Sequence, residues 1–558
     1  MYRNTGLWPV FFHKDIIRMN VFRKIAATGV FLAAAAGAFA QSRNFEIGQW
    51  EEIGDRIYKE LERSYVDSLP VGRMKRAAID AMLESLDPYT VYVPEEENED
   101  FQMMIGKTYG GIGAVIYKPE KDGPVYINEP YAGSPASRAG LVCGDCILEI
   151  DGQSTAGLET KECSDRMKGK PGTEVLFKVR KVRGGEVMDV RVTRERIHLP
   201  DVEYAGMIND TTGYILQTGF TENVSQAVRQ AVVRLKDEGM KLLVLDLRGN
   251  GGGLLQEAVG IVSIFVPKGS TVVTQKGRGR EEICFKTTLD PVDTETPVMV
   301  LVNGASASSS EIVAGALQDY DRATIMGQRT FGKGLVQSIR PLPFNGQLKV
   351  TTAKYYTPSG RCVQAIDYSG RNEDGSVSFI PDSLTHEFRT AGGRPVRDGG
   401  GITPDISVSD EQYSRLVYSL VLNGIVEQYA FSYVQAHDAI APVEEFHLSD
   451  EDYAAFVAFA KEKEFDYRSD AKAYFDQMKK KLEEDGMADA VKEELDALDK
   501  AINLDKERFL NLKKDEIIPF IEEEIVVRYY FQEAGIRLRL RYDKQLKEAL
   551  RLYRPVVM

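Results

Sequence analysis

The sequence predicts a multidomain chain with a layered α/β core set between helical ends. Three observations carry this reading. From Gly213 to Gly327, short apolar runs alternate with amphipathic stretches, the pattern of strands and helices stacked in layers. Residues 47–105 and 409–558 instead place apolar side chains at helical spacing. At 558 residues, the chain is long enough for several cores of ordinary size. Its net charge of −14 argues against a nucleic-acid partner.

The amino terminus reads as an address. From Met19 the chain runs MNVFRKIAATGVFLAAAAGAFAQS, with Arg23 and Lys24 ahead of an apolar stretch that closes on Ala38-Phe39-Ala40. This is the form of a secretory signal with an A-x-A cleavage site before Gln41. Residues 1–40 are therefore an upstream extension plus signal peptide, and the expected location is the bacterial periplasm. The apolar run is short for a membrane span. No cysteine follows the cleavage site, which argues against a lipoprotein, and no membrane association is expected after cleavage.

Residues 41–106 form a helical amino-terminal region in which Phe45, Trp50, Ile53, Ile57 and Leu61 recur at helical spacing. Residues 107–200 form a second module, marked by YGGIGAVI, then VYINEPYAGSPASRAGLVCGDCILEIDGQ, then MKGKPGTEVLFKVRK. Its Cys143-Gly-Asp-Cys146 has redox or zinc spacing but no second pair nearby, so small turn residues are the simpler reading. The five cysteines, an odd count, fit no complete intramolecular disulfide framework.

Residues 201–408 hold the core. Val224, Ala227, Val228, Ala231, Val232 and Leu235 make one helical face between Thr221 and Gly239. LLVLDLRGNGGGLL, residues 242–255, reads as a buried strand that runs into a glycine-rich loop. That loop lacks the arrangement of a P-loop. LVNGASASSSEIVAGALQDY then sets Ser308 just before an expected helix, where Ser309 or Ser310 would serve as an ordinary N-cap. TFGKGLVQ places Lys333 in a Gly-Lys-Gly turn, with Gln337 four residues on. A serine hydroxyl needs a base beside it to act as a nucleophile. A lysine whose pKa is lowered by burial can be that base.

Together these segments resemble the carboxyl-terminal processing peptidases, or tail-specific proteases. The signature Ser306-Ala307-Ser308-Ser309-Ser310-Glu311, followed by a helix, a strand and T-F-G-K-G-x-x-Q, is similar to theirs. The departure is Ser309, where alanine is usual. The resemblance implies Ser308 as nucleophile, Lys333 as base and Gln337 as the residue that positions the base. It implies an oxyanion hole made by the backbone N–H groups of Gly252 and Ser309, within a crotonase/ClpP-like layered core. The module at 107–200 resembles a PDZ domain, which implies a tail carboxylate held on the loop Gly110-Gly111-Ile112-Gly113. No metal, nucleotide or other cofactor is implied. The implied partners are proteins or peptides with exposed carboxyl-terminal tails.

Residues 409–558 are rich in Glu, Lys, Asp and Ala and read as all-helical, with no catalytic pattern. They brace the core, form a homo-oligomer or gate access; the sequence does not choose. Two other classes stay open: a catalytically silent PDZ binding protein, and a crotonase-like acyl-CoA enzyme. None of the five histidines sits in a recognised hydrolase motif, and no H-E-x-x-H zinc motif occurs.

Overall fold

The structure, a computed structural model, describes residues 43–553 apart from 99–100, 102, 104–105, 119–121, 280, 372–375, 410–411, 467–468 and 503–504. The signal expected within residues 1–40 lies outside the described residues. Among those described, no helix is long and apolar enough to cross a membrane.

The chain divides into two units, Met1–Met82 and Leu83–Met558. In the first, a helix over 43–64 carries the expected apolar stripe, but the stripe faces solvent, with Trp50 at 65% exposure. Lys75 Nζ lies 3.4 Å from the centre of the Tyr58 ring and joins this helix to the start of the next, Val71–Glu84.

In the second unit, the PDZ-like module is an antiparallel sheet ordered Ala114–Tyr117, Val125–Pro130, Cys146–Ile150, Glu174–Arg180 and Val187–Thr193. Glu174–Arg180 shows why it folds so: Val175, Phe177 and Val179 alternate inward, as a half-buried strand requires. Cys143 and Cys146 are buried free thiols in a turn held by Asp145, which accepts from Val142 N and Val182 N. Burial pushes the Cys143 thiol up to about 12, so it is not a ready nucleophile.

The core sheet runs Val202–Met207, Thr212–Gln217, Leu242–Asp246, Val298–Val302, Ala323–Gly327 and Ile406–Ser407. Its first pair is antiparallel and the rest are parallel. Parallel strands need both faces covered. On one face, Leu243, Leu245, Val298 and Val300 pack against helices Val224–Asp237, Leu255–Phe265 and Ser309–Asp319. The first of these ends at Gly239, whose φ of +96° closes the turn.

On the other face, Val244, Met299, Leu301 and Met326 pack against Ile536, Leu546 and Ala549. These belong to the carboxyl-terminal helices Lys514–Tyr542 and Lys544–Leu552. The helical region is thus the third layer of the core as well as a cluster with its own apolar interior. Lys514–Tyr542 is two helical arms, broken at Phe531, where φ is +67° and ψ 178°. The arms fold back on each other, so that Arg539 pairs with Glu523 at 3.5 Å and the Tyr542 hydroxyl donates to Glu522 at 2.7 Å.

A second sheet built on the long strand Gln347–Tyr356 pairs it with Val91–Val93, Thr271–Lys276 and Leu335–Pro341. It backs the loop that carries Lys333.

Candidate active site

Three adjacent parallel strands, Leu242–Asp246, Val298–Val302 and Ala323–Gly327, end side by side, and the loops after them carry the glycines, Ser308 and Lys333. The crevice beyond the carboxyl ends of parallel strands is where α/β sheets place ligands.

Ser308, and not Ser309 or Ser310, is the N-cap of helix Ser309–Asp319. Its φ of +56° and ψ of −112° are strained for a residue with a side chain, which marks a sharp turn from strand to helix. The neighbouring hydroxyls are committed elsewhere. Ser306 Oγ donates to Leu247 O at 2.7 Å, Ser309 Oγ to Gly253 O at 2.9 Å and Ser310 Oγ to Asn250 O at 2.8 Å. Three serines therefore fasten the turn to the glycine-rich loop, and Ser309 supplies one of those bonds.

Gly252 has a φ of +97° and touches the turn: a Cβ there would lie 2.8 Å from Ser308 Cβ and 2.7 Å from Ala307 O. Only glycine fits. Its N–H donates to Asn250 Oδ1 at 2.9 Å. The Ser309 N–H is at the first helical position, where no intrahelical acceptor exists.

Glu311 joins the nucleophile turn to the lysine loop. Its carboxylate is fully buried and accepts from Ser308 N at 2.9 Å, Thr330 Oγ1 at 2.6 Å, Gly332 N at 2.7 Å and Lys333 N at 2.8 Å. The Ser308 and Lys333 amides share one oxygen, Oε2. Burial pushes the carboxyl upward and the four donors oppose that rise. Glu311→Gln keeps the shape but turns an NH₂ toward N–H donors. Each donor left unsatisfied costs about 1–3 kcal/mol. A clear drop in the denaturant midpoint and loss of peptidase activity are expected; an unchanged midpoint and rate would contradict this role.

Lys333 is half-buried, and its Nζ lies 4.3 Å from the centre of the Tyr89 ring. Burial, reinforced by the Lys349 ammonium, lowers its pKa from 10.5 to about 8, against the pull of Glu311 and Asp87. Among the described residues no hydrogen bond joins Lys333 Nζ to Ser308. Gln337 Nε2 donates to Thr351 Oγ1 at 3.2 Å, and among the described residues its Oε1 accepts no bond from Lys333 Nζ. The turn, the glycine loop and the lysine loop are thus brought together, while among the described residues no hydrogen bond joins Gln337 to the lysine head.

Sequence reasoning missed two further neighbours. Tyr89 lies under the lysine, and the buried Tyr355 donates its hydroxyl to Ser308 O at 3.1 Å.

In the PDZ-like module, Gly110 and Gly111 lie in strand Thr108–Gly111, paired with Glu195–His198. Ile112 and Gly113 follow that strand, and their carbonyls accept from Ala136 N and Tyr131 N, both at 2.9 Å. Their N–H groups have no backbone acceptor among the described residues. Strand Ala114–Tyr117 is at the end of its sheet.

Three family models match segments of the chain. Peptidase family S41 matches residues 211–370, a PDZ domain matches 126–181, and the family described as "Probable PDZ-protease, C-terminal helical domain" matches 416–553. The carboxy-terminal-processing protease of Bartonella bacilliformis is 36% identical over 347 residues, which span 61% of this chain and 79% of that protein. The chain belongs to the carboxy-terminal-processing protease family. It is a serine-type peptidase with a PDZ domain and a helical carboxyl-terminal region. Another relative, a "Probable CtpA-like serine protease" of Staphylococcus aureus, is 37% identical over 311 residues, 55% of this chain and 62% of its own length. Among solved structures, the photosystem II D1 C-terminal processing protease is 25% identical, covering 63% of this chain and 91% of that one, with a TM-score of 0.34.

Proposed function

We propose that this carboxy-terminal-processing protease is an exported endopeptidase that captures protein tails on its PDZ domain and cuts them with a Ser308–Lys333 dyad. The observation that carries the dyad is the single buried oxygen of Glu311 that accepts the backbone N–H groups of both residues. It ties the nucleophile turn to the base.

In the proposed reaction, Ser308 Oγ attacks the substrate carbonyl carbon as its proton passes to neutral Lys333 Nζ. The N–H groups of Gly252 and Ser309 receive the oxyanion. The ammonium then returns the proton to the departing amine as the C–N bond breaks, leaving an acyl-enzyme. Water, deprotonated by Lys333, hydrolyses the ester and regenerates Ser308. Glu311 and Asp87 favour the charged lysine, so they stabilise it once the proton has been taken.

Two groups must move first. The Gly252 N–H must leave Asn250 Oδ1, and Lys333 Nζ must leave the Tyr89 ring. The arrangement described is therefore a resting one, which substrate would align. Export rests on the leader expected within residues 1–40.

Tail capture rests on the N–H groups of Ile112 and Gly113, which have no backbone acceptor among the described residues, beside the edge strand Ala114–Tyr117, to which a peptide can add. Calorimetry on the Ser308→Ala variant tests it. Amidating a tail peptide removes the carboxylate charge, and a charge-assisted bond is worth about 1.5–3 kcal/mol, so binding should weaken at least about tenfold. Equal affinity for free-acid and amidated peptides would overturn tail capture. Mass spectrometry of an unstructured protein incubated with the wild type should show new internal cleavages; an intact substrate would contradict the peptidase reading.

A further inference from the structure

The carboxyl-terminal hairpin touches both ends of the machinery. At its bend, Gln532 Nε2 donates to Glu129, Arg528 Nη2 donates to Asn128 Oδ1 at 2.7 Å, and Asn128 Nδ2 donates to Glu427 at 3.1 Å. Asn128 and Glu129 are in the PDZ strand Val125–Pro130. The Phe431 ring packs on Tyr126 of the same strand, with centres 5.0 Å apart. At the far end of the second arm, Asp543 Oδ2 accepts from Arg248 Nη2 at 2.6 Å and Gln545 Oε1 accepts from Arg248 Nη1 at 2.8 Å.

Arg248 begins the loop that leads to Gly252. Its other side is held by Asp246, which accepts from Nε at 3.0 Å and also from the Tyr214 hydroxyl at 2.6 Å. The planar guanidinium is fixed from two directions, so the side chain transmits orientation as well as charge. Arg248 is only 17% exposed, and a cavity of about 470 Å³ lies against it, which leaves the loop room to shift.

We infer that the arm Gln532–Asp543 is a positioning element that links the PDZ strand Val125–Pro130, through Asp543 and Arg248, to the oxyanion loop. The inference rests on the proposed role of Gly252. Asp543 and Arg248 are positioning residues: they touch no substrate and act through the loop. The arm is helical from Gln532 to Tyr542 and ends in the extended cap residue Asp543, so a displacement at its PDZ end is carried along the helix to the residue that holds Arg248. This gives the carboxyl-terminal region a task beyond covering the sheet.

Asp543 is also the N-cap of helix Lys544–Leu552, accepting from Leu546 N at 2.7 Å. That double duty supplies the test. Asparagine caps a helix as well as aspartate but brings no charge to Arg248, whereas glutamate restores the charge and caps poorly. With a short internally quenched apolar peptide and the full chain, Asp543→Asn should lower kcat about tenfold or more, because misplaced oxyanion donors forfeit transition-state stabilisation. KM should stay within about twofold, since the loss is confined to the transition state. Asp543→Glu should retain more activity than Asp543→Asn, although its thermal midpoint is lower. Activity that follows cap strength, or wild-type kcat in Asp543→Asn, overturns the inference.

Gln532→Ala cuts the link at its PDZ end. Combined with Asp543→Asn, the two losses in kcat should not multiply, since both break one connection; multiplying losses, or no loss from Gln532→Ala, overturn it. Ser308→Ala run in parallel separates the two readings. If it cleaves like the wild type, the serine mechanism fails; if it is inactive while Asp543→Asn matches the wild type, only the link fails.

Discussion

Ser308→Ala is expected to lower peptide cleavage by about 10⁴- to 10⁶-fold while leaving the fold in place, the scale seen when a nucleophilic serine is removed from a hydrolase. The substitution removes one oxygen. The backbone bonds that hold the turn persist, because Glu311 accepts from Ser308 N and Tyr355 donates to Ser308 O, neither of which involves the side chain. Ser306, Ser309 and Ser310 still fasten the turn to the glycine loop. The thermal midpoint should therefore move little, and the lost rate reports chemistry. Retention of a tenth or more of wild-type turnover would mean that another group is the nucleophile. The neighbouring serines are poor substitutes, since their hydroxyls are buried and committed to carbonyl acceptors.

Lys333→Arg is expected to be nearly as damaging, with turnover reduced by about 10³-fold or more if proton transfer from Ser308 is lost together with nucleophile activation. Arginine keeps the positive charge and the stacking on Tyr89, but its guanidinium stays protonated at any pH where the protein is folded and cannot accept a proton. A mainly electrostatic lysine would tolerate this change, and a base would not. Steady-state cleavage of a short peptide decides it, with circular dichroism to show that the variant folds. Cleavage near the wild-type rate would remove Lys333 from the mechanism. Gln337→Ala should be milder, because its amide bonds Thr351 and not the lysine.

Much of the site was legible because its chemistry is local in sequence. Ser308, Lys333 and the glycines 251–253 sit in short linear patterns whose spacing survives into the fold. Glu311 was half legible: Ser308-x-x-Glu311 has the form of a capping box, which accounts for its bond to Ser308 N. Its second task, holding Gly332 and Lys333, spans a helix and a strand and leaves no local mark. Tyr89 is invisible for the same reason, since more than 200 residues separate it from the lysine it covers. The helical tail was legible as helix but not as the third layer of the core. Periodicity reports that Ile536 and Leu546 share an apolar face; it cannot report that the face lies on Val244 and Met299. The break at Phe531 lacks the glycine that usually permits a positive φ, so the hairpin reads as one long helix. The stripe on helix 43–64 is the converse case, where correct periodicity did not imply burial.

The pH dependence of kcat/KM for a short peptide, which reports groups in the free enzyme, tests most directly that Lys333 is the base for Ser308. With its pKa lowered to about 8, Lys333 becomes neutral as pH rises through that value. Wild-type kcat/KM should therefore climb with pH, falling about tenfold for each unit below the midpoint. Any residual rate of Lys333→Arg should lack that limb. A wild-type profile that is flat across the neutral and mildly basic range, or a limb that persists unchanged in Lys333→Arg, would contradict the dyad.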